Sequence, residues 1–206
     1  MQKHLPERVQ KGQGTMRAFT FENATKIYFG GGCVKEHLLE AVKPYGETVM
    51  LAYGGGSIKT NGIYQEVMDV LKLAGKQVIE FSGIMPNPTY SKVMEGKKVV
   101  QENQVDLILA VGGGSVMDCS KAISMAAATD KDVWEEYWIK KGEIDFEPVP
   151  VGVIVTVVGT GSEVNGEGVI THEEQKIKTS RNYPRCNPVF AMMDPKYTYT
   201  VSPLQT

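Results

Sequence analysis

The sequence predicts an α/β fold, an open parallel sheet with helices on both faces and a β-hairpin toward its carboxyl end. Three observations predict it. From Met16 onward, short apolar runs alternate with amphipathic stretches in a β-α-β-α-β rhythm. Two of those runs, VDLILAVGG at 105–113 and VPVGVIVTV at 149–157, are too apolar to alternate, as expected of strands with helices over both faces. Glycine-rich turns follow several of the strands, and open sheets of this kind bind ligands beyond the carboxyl ends of their strands.

The elements follow in order. KIYFG (26–30) reads as a strand, and CVKEHLLEAVKPYG after it as an amphipathic helix ended by Pro44 and Gly46. ETVMLAY (47–53) is the second strand and runs into GGGS. In GIYQEVMDVLKLAG, the residues Ile63, Val67, Val70, Leu71 and Ala74 recur at helical spacing, with Gly75 placed as the stop. QVIEFS (77–82) is the third strand. MPNPTY then turns into a helix, with Asn87 expected as its N-cap and Pro88 as its first residue. The strand at 105–113 passes through a second GGGS into a helix. There Ser115 is placed to cap, Asp118 stands in capping-box position, and Val116, Cys119, Ile123 and Ala127 form the expected buried stripe. After the strand at 149–157, GEGVITHEEQKIKTSRN holds two short polar-apolar runs around HEEQ, the pattern of a hairpin. PVFAMMDP (188–195) gives one more strand, with Asp194 expected to cap the turn after it.

Composition bounds the function. The 206 residues are 42% hydrophobic and 22% charged, an ordinary globular balance able to bury a sizeable core. A formal charge of -2 argues against nucleic acid or an anionic membrane as the main partner, and no apolar run is long enough for a membrane span. Cys33, Cys119 and Cys186 are an odd set without a C-x-x-C, which fits free thiols in a reducing, cytoplasmic compartment. Residues 1–15, MQKHLPERVQKGQGT, are polar, aperiodic and without the apolar core of a secretory signal. They are expected to be a disordered leader or tag ahead of one domain over 16–206.

The glycine turns carry the chemistry. Glycines at a strand's carboxyl end let backbone approach a phosphate, and the following helix offers free N–H groups at its positive end. Gly113, Gly114 and Ser115 are so placed after the strand at 105–113. The alternative is a tight strand-helix turn without a ligand. The segment lacks the G-K-[ST] of a P-loop and the third glycine of G-x-G-x-x-G. The earlier loop presents Gly54, Gly55, Gly56 and Ser57 with Lys59 just beyond and no acid within it. An acid there would bond a ribose 2′-hydroxyl and repel a 2′-phosphate, so the pair of loops suggests NADP rather than NAD, a surface turn being the other reading. A third loop, TVVGTGSEVN, offers Thr156, Thr160, Ser162 and Asn165 to adenine, ribose or phosphate, or is simply a polar turn.

These loops in this order, with PNP between the first two, resemble the iron-containing (group III) alcohol dehydrogenases, most of all the NADPH-dependent branch of butanol dehydrogenases and aldehyde reductases. The matching segments are TKIYFGGG, YGGGSIKTNGIY, GIMPNPTYSKV, LAVGGGSVMDCSKAI, VVGTGSEVN and NPVFAMMDPKYTYTVSPLQT, from about residue 19 to Thr206. The resemblance implies a Rossmann-like N-terminal domain followed by a helical domain, with the active site between them. It implies that Gly113, Gly114 and Ser115 cradle the pyrophosphate and that Gly54 to Ser57 surround the 2′-phosphate. It sets Asp118 near the nicotinamide, lines the adenosine and diphosphate with Thr156, Thr160 and Ser162, and turns Lys178 toward the nicotinamide ribose.

The family's metal, iron or zinc, is held by an aspartate and three histidines that begin with D-x-x-x-H shortly after the segment matching SPLQT. His4, His37 and His172 match none of those positions. The expectation is therefore the cofactor-binding half of such an enzyme, without the helical metal-binding domain and inactive alone, acting with a small alcohol or aldehyde as partner. Self-association through the exposed cleft face is expected as well. Two other readings stay open on the sequence: a stand-alone nucleotide-binding module or gene remnant, and a relative of the glycerol dehydrogenase or dehydroquinate synthase kind.

Overall fold

A computed structural model describes Thr20 and residues 22–201; the leader expected at 1–15 and the final SPLQT lie outside the described residues. The strands are β1 (Lys26–Phe29), β2 (Thr48–Tyr53), β3 (Gln77–Phe81), β4 (Leu107–Gly112), β5 (Val151–Val155), β6 (Glu167–His172), β7 (Ile177–Asn182) and β8 (Phe190–Met193). Six of them form one sheet in the order β1-β8-β5-β4-β2-β3, with every pairing parallel.

Apolar residues on both faces of the central strands build this sheet. Met50, Ala52, Ile108 and Ala110 enter one core layer, and Val49, Leu51, Leu107 and Leu109 enter the other. The first layer is closed by α4 (Tyr90–Glu102) and α5 (Gly114–Ala127), through Val93, Val100, Met117 and Ile123. The second is closed by α1 (Cys33–Val42) and α3 (Ile63–Leu73), through Val34, Leu38, Val67 and Leu71. Each such buried aliphatic side chain contributes about 1.5–3 kcal/mol. A single turn, α2 (Ser57–Thr60), opens the connection to α3.

β6 and β7 form the antiparallel hairpin expected from sequence. It lies across α5 so closely that a Cβ at Gly168 would stand 3.3 Å from Trp138 Cζ2 and 3.5 Å from the Asp118 carbonyl oxygen. That cover changes the expected character of α5. Every residue from Val116 to Ala126 is buried, not a stripe alone, because the sheet takes one face and α4 and the hairpin take the rest.

Three further expectations need correction. Thr89, not Asn87, caps α4: its hydroxyl accepts from the Lys92 N–H at 3.2 Å. Pro88 and Thr89 are engaged by Thr171 of the hairpin, and Asn87 is left-handed at φ 55, so helix begins only at Tyr90. Ser115 does not cap α5. Gly113 is the N-cap, no side chain caps it, and Ser115 is already the second helical residue. Asp118 is likewise no capping-box acid, since its carboxylate turns inward to Ser162 and to the Val169 N–H. The segment 129–148, which carries no clear period, holds a π-helical turn at Trp134–Ile139 with Trp134, Tyr137 and Trp138 buried.

The topology fixes where a ligand can go. From β2 the chain steps outward through α3 to β3, then returns past β2 through α4 to β4. β2 and β4 are therefore neighbours whose outgoing connections diverge. Open parallel sheets leave a crevice at such a point, at the carboxyl ends of the strands.

Candidate functional site

Tyr53 lies opposite Val111, so the two GGGS segments leave the same edge of the sheet side by side. At the end of β4 the glycines are a packing requirement. A Cβ at Gly112 would stand 2.5 Å from Val116 Cγ2, one at Gly113 would stand 3.0 Å from Val157 Cβ, and one at Gly114 would stand 2.6 Å from Thr160 Cγ2. The N–H groups of Val116 and Met117 bond back to the Gly113 carbonyl at 3.0 and 3.2 Å. Those of Gly114 and Ser115 donate to no protein acceptor among the described residues. They stand at the positive end of a helix of 14 residues, a position suited to an anion.

The loop after β2 borders this turn. A Cβ at Gly54 would lie 3.2 Å from the Ile84 carbonyl oxygen and 3.9 Å from Val116 Cγ2. The Gly54 carbonyl accepts from the Gly83 N–H at 3.0 Å, which ties the loop to the connection after β3. Gly56 sits at φ +101, a conformation that favours glycine. Tyr53, Gly54, Gly55, Gly56, Lys59, Ser82 and Gly83 line a shallow hollow here. Ser57 is exposed beside it.

Lys59 is not a free cation in this hollow. Its Nζ donates to Glu80 Oε2 at 2.9 Å and lies 4.5 Å from the centre of the Tyr64 ring. Glu80 also accepts from the Tyr53 hydroxyl at 2.5 Å and from the Tyr64 hydroxyl at 2.6 Å. Hydrogen bonds from Tyr53, Tyr64 and Lys59 hold the Glu80 carboxyl down at about 2. The Tyr53 hydroxyl and the Glu80 carboxylate in turn hold the Lys59 ammonium above its usual range.

The third loop forms the far wall. The Thr156 N–H donates to the Gly112 carbonyl at 3.0 Å, and Thr160 stands against Gly114, its hydroxyl accepting from the Ser162 N–H at 3.3 Å. Beyond Thr160 the loop turns inward. The Ser162 hydroxyl donates to Asp118 Oδ1 at 2.7 Å, and Asp118 Oδ2 accepts from the Val169 N–H at 3.1 Å. Lys121, 2% exposed, donates to the carbonyls of Ser162 and Asn165 at 2.9 and 3.0 Å and to Asn165 Oδ1 at 3.3 Å. Its Nζ lies 3.7 Å from Asp118 Oδ1. Burial raises the Asp118 carboxyl, against Ser162, Lys121 and Val169. Burial also pulls Lys121 down to about 8, against the raising effect of Asp118.

Of the residues singled out in the sequence, Gly54, Gly113, Gly114, Ser115, Thr156 and Thr160 converge on the β2/β4 edge, with Gly55, Gly56, Ser57 and Lys59 at its rim. Asp118, Ser162 and Asn165 instead belong to a buried cluster that pins the third loop to α5. Lys178, on the exposed face of β7, donates to Asn87 Oδ1 at 2.5 Å. Glu80 and Lys121 are not among the residues that the sequence pattern singles out. Lys121 leaves a signal, an acid and a lysine three apart in an otherwise uncharged helix; Glu80 leaves none, because only the pairing of β3 with β2 brings it to Tyr53.

His37 stacks on Tyr28 and His172 on Tyr90, and His4 lies outside the described residues. Among the described residues no group of three His, Cys, Asp or Glu could hold a metal ion. Nor is any helix among them long and apolar enough to cross a membrane. The site's own means are thus bare N–H groups, hydroxyls and one paired lysine along a glycine-lined edge, suited to an extended ligand that carries phosphates.

Comparison with known proteins places the chain in a family. A family profile described as iron-containing alcohol dehydrogenase matches residues 24–195, and the chain belongs to that family. It is 45% identical over 186 residues to a probable NADH-dependent butanol dehydrogenase of Bacillus subtilis, covering 90% of this chain and 47% of the relative. It is 39% identical over 191 residues to an NADPH-dependent aldehyde reductase of Escherichia coli, covering 92% and 48%. The crystal structure of an NADH-dependent butanol dehydrogenase from Thermotoga maritima superposes with a TM-score of 0.86 at 38% identity, covering 93% of this chain and 48% of that one. The chain spans about half the length of the curated relatives it matches.

Proposed function

We propose that the chain is the NADP(H)-binding half of a metal-dependent alcohol dehydrogenase that interconverts primary alcohols and aldehydes. The observation that carries this reading is the meeting of both glycine loops at the β2/β4 switch point, where the N–H groups of Gly114 and Ser115 have no protein acceptor among the described residues. In this reading Gly113, Gly114 and Ser115 hold the pyrophosphate, and Thr156 and Thr160 line the diphosphate and adenosine. Gly54 to Ser57 surround the 2′-phosphate within reach of Lys59. Asp118, Ser162, Asn165 and Lys121 act as positioning residues that keep the third loop against α5. Lys178 exchanges Asn87 for the nicotinamide ribose.

The N–H groups of Gly114 and Ser115 at the start of α5, without a protein acceptor among the described residues, fit the phosphates of such a dinucleotide; when bound, its nicotinamide supplies or accepts hydride. The described residues do not fit a metal, so iron or zinc would be held outside them, and the chain alone should not turn over alcohol. A second reading, NAD(H), is favoured by the capture of Lys59 by Glu80. The names of the relatives, NADH-dependent in one case and NADPH-dependent in the other, support a nicotinamide dinucleotide under either reading. Titration of the chain with NADPH and NADH, followed by cofactor fluorescence, separates them. Tighter NADPH binding is expected; equal affinity refutes the 2′-phosphate assignment, and binding of neither refutes the dinucleotide site. Metal-dependent alcohol oxidation by the chain alone would refute its inactivity.

A further inference from the structure

The loop after β2 owes its electrostatic character to a residue outside it. Lys59 is the one cation among the residues lining this hollow, and its ammonium is engaged by Glu80 at 2.9 Å. Glu80 is in turn fixed from both of its oxygens, by the Tyr53 hydroxyl on Oε2 and the Tyr64 hydroxyl on Oε1. A carboxylate held by two phenols and an ammonium has little freedom to swing away, and the lysine lies against the rings of the same two tyrosines. The arrangement leaves the mouth of the hollow close to neutral: a positive charge stands there, but its partner stands beside it.

We infer that Glu80 is a specificity-determining residue that limits the preference for NADPH over NADH by holding Lys59 and placing a carboxylate beside the 2′ position. The inference rests on the dinucleotide reading above. A 2′-phosphate arriving at Gly54 to Ser57 meets a lysine already neutralised and a carboxylate that repels it. A 2′-hydroxyl meets no such opposition. Tyr53 and Tyr64 are positioning residues, which keep the carboxylate in place whichever cofactor is bound.

The test is the ratio of dissociation constants for NADPH and NADH, measured on the 206-residue chain and on its variants at fixed ionic strength. Glu80→Gln keeps the shape and removes the charge, and should tilt the ratio toward NADPH by about tenfold, about threefold from the carboxylate's repulsion of the phosphate and about threefold from the release of Lys59, each the order of effect of unit charges about 6 Å apart across water. A merely structural role for Glu80 would change both affinities together and leave the ratio alone. An unchanged ratio in a variant that binds either cofactor overturns the inference while leaving the dinucleotide site standing. If the unmodified chain binds neither cofactor, the functional reading fails and this inference with it. The tilt should shrink to about threefold or less when Glu80→Gln is made in a Lys59→Met background, and an undiminished tilt overturns the part assigned to Lys59. Should Glu80→Gln not fold, Glu80→Thr, at a side chain 42% exposed on a strand, is read in its place: the same tilt toward NADPH is expected, and an unchanged ratio overturns the inference.

Discussion

Replacing Lys121 by Met should destabilise the fold by about 3–5 kcal/mol, the usual cost of breaking a buried ion pair from one side. The ammonium of Lys121 satisfies the carbonyls of Ser162 and Asn165 and the Asn165 side chain, and it faces the Asp118 carboxylate at 3.7 Å. Met fills nearly the same volume, so little of the loss comes from packing. The loss comes from a buried carboxylate without its counter-charge and from carbonyl oxygens without a donor. For a domain of this size, each kcal/mol lowers Tm by about 2–4 °C, so a drop of about 8–16 °C is expected for a loss of ~4 kcal/mol. Urea melts followed by far-ultraviolet circular dichroism and by the fluorescence of Trp134 and Trp138 would measure it. Asp118→Asn added to Lys121→Met should restore about 1–2 kcal/mol, because the uncompensated charge goes while the bonds to Ser162 and Val169 can persist. A Lys121→Met chain within about 1 kcal/mol of the parent would refute the buried-cluster reasoning.

Other outcomes follow from the same geometry. Gly114→Ala should cost at least about tenfold in cofactor affinity, since its Cβ would stand 2.6 Å from Thr160 Cγ2 and push apart the turn and the third loop; isothermal titration checks it. Glu80 has a folded-state carboxyl at about 2, below the ordinary 4.5. Its contribution to stability is therefore complete above pH 4.5 and lost as pH falls toward 2. The Glu80→Gln variant should show a flatter fall in that window, measured by urea midpoint against pH. Self-association through the carboxyl edge of the sheet is proposed on the exposure there of Phe29, Val157 and Val158 at 73%, 40% and 44%. Light scattering should show a mass rising with concentration, and a monomer throughout refutes it.

The parts legible in the sequence are those written in local pattern. The continuous apolar runs of β4 and β5, the period of α3 and the hairpin around HEEQ each follow from backbone geometry acting over a few residues. The glycines of 112–114 are legible as a tight strand-helix turn, which the contacts of their missing Cβ atoms with Val116, Val157 and Thr160 bear out. What escaped depends on distant partners. Asn87 looks like a cap until the hairpin's Thr171 claims Pro88 and Thr89, and Asp118 looks like a capping-box acid until Ser162 and Val169 draw it inside. The loop at 54–57 reads as free of acid because Glu80 is more than 20 residues away in the chain, and only the β2–β3 pairing brings its carboxylate to Tyr53 and Lys59. Charge balance at a site is a tertiary property, which local sequence does not carry.

The central claim is that one dinucleotide lies across the β2/β4 edge, its pyrophosphate on the start of α5 and its 2′ end on the loop after β2. Backbone amide shifts in a ¹⁵N-labelled chain, followed as NADPH is added, test it most directly. The account predicts that the largest changes fall on Gly113, Gly114, Ser115 and the amides of Gly54 to Ser57, with those of Gly54 to Ser57 reduced when NADH replaces NADPH. Saturable changes confined to other parts of the chain, or none at all, would contradict it.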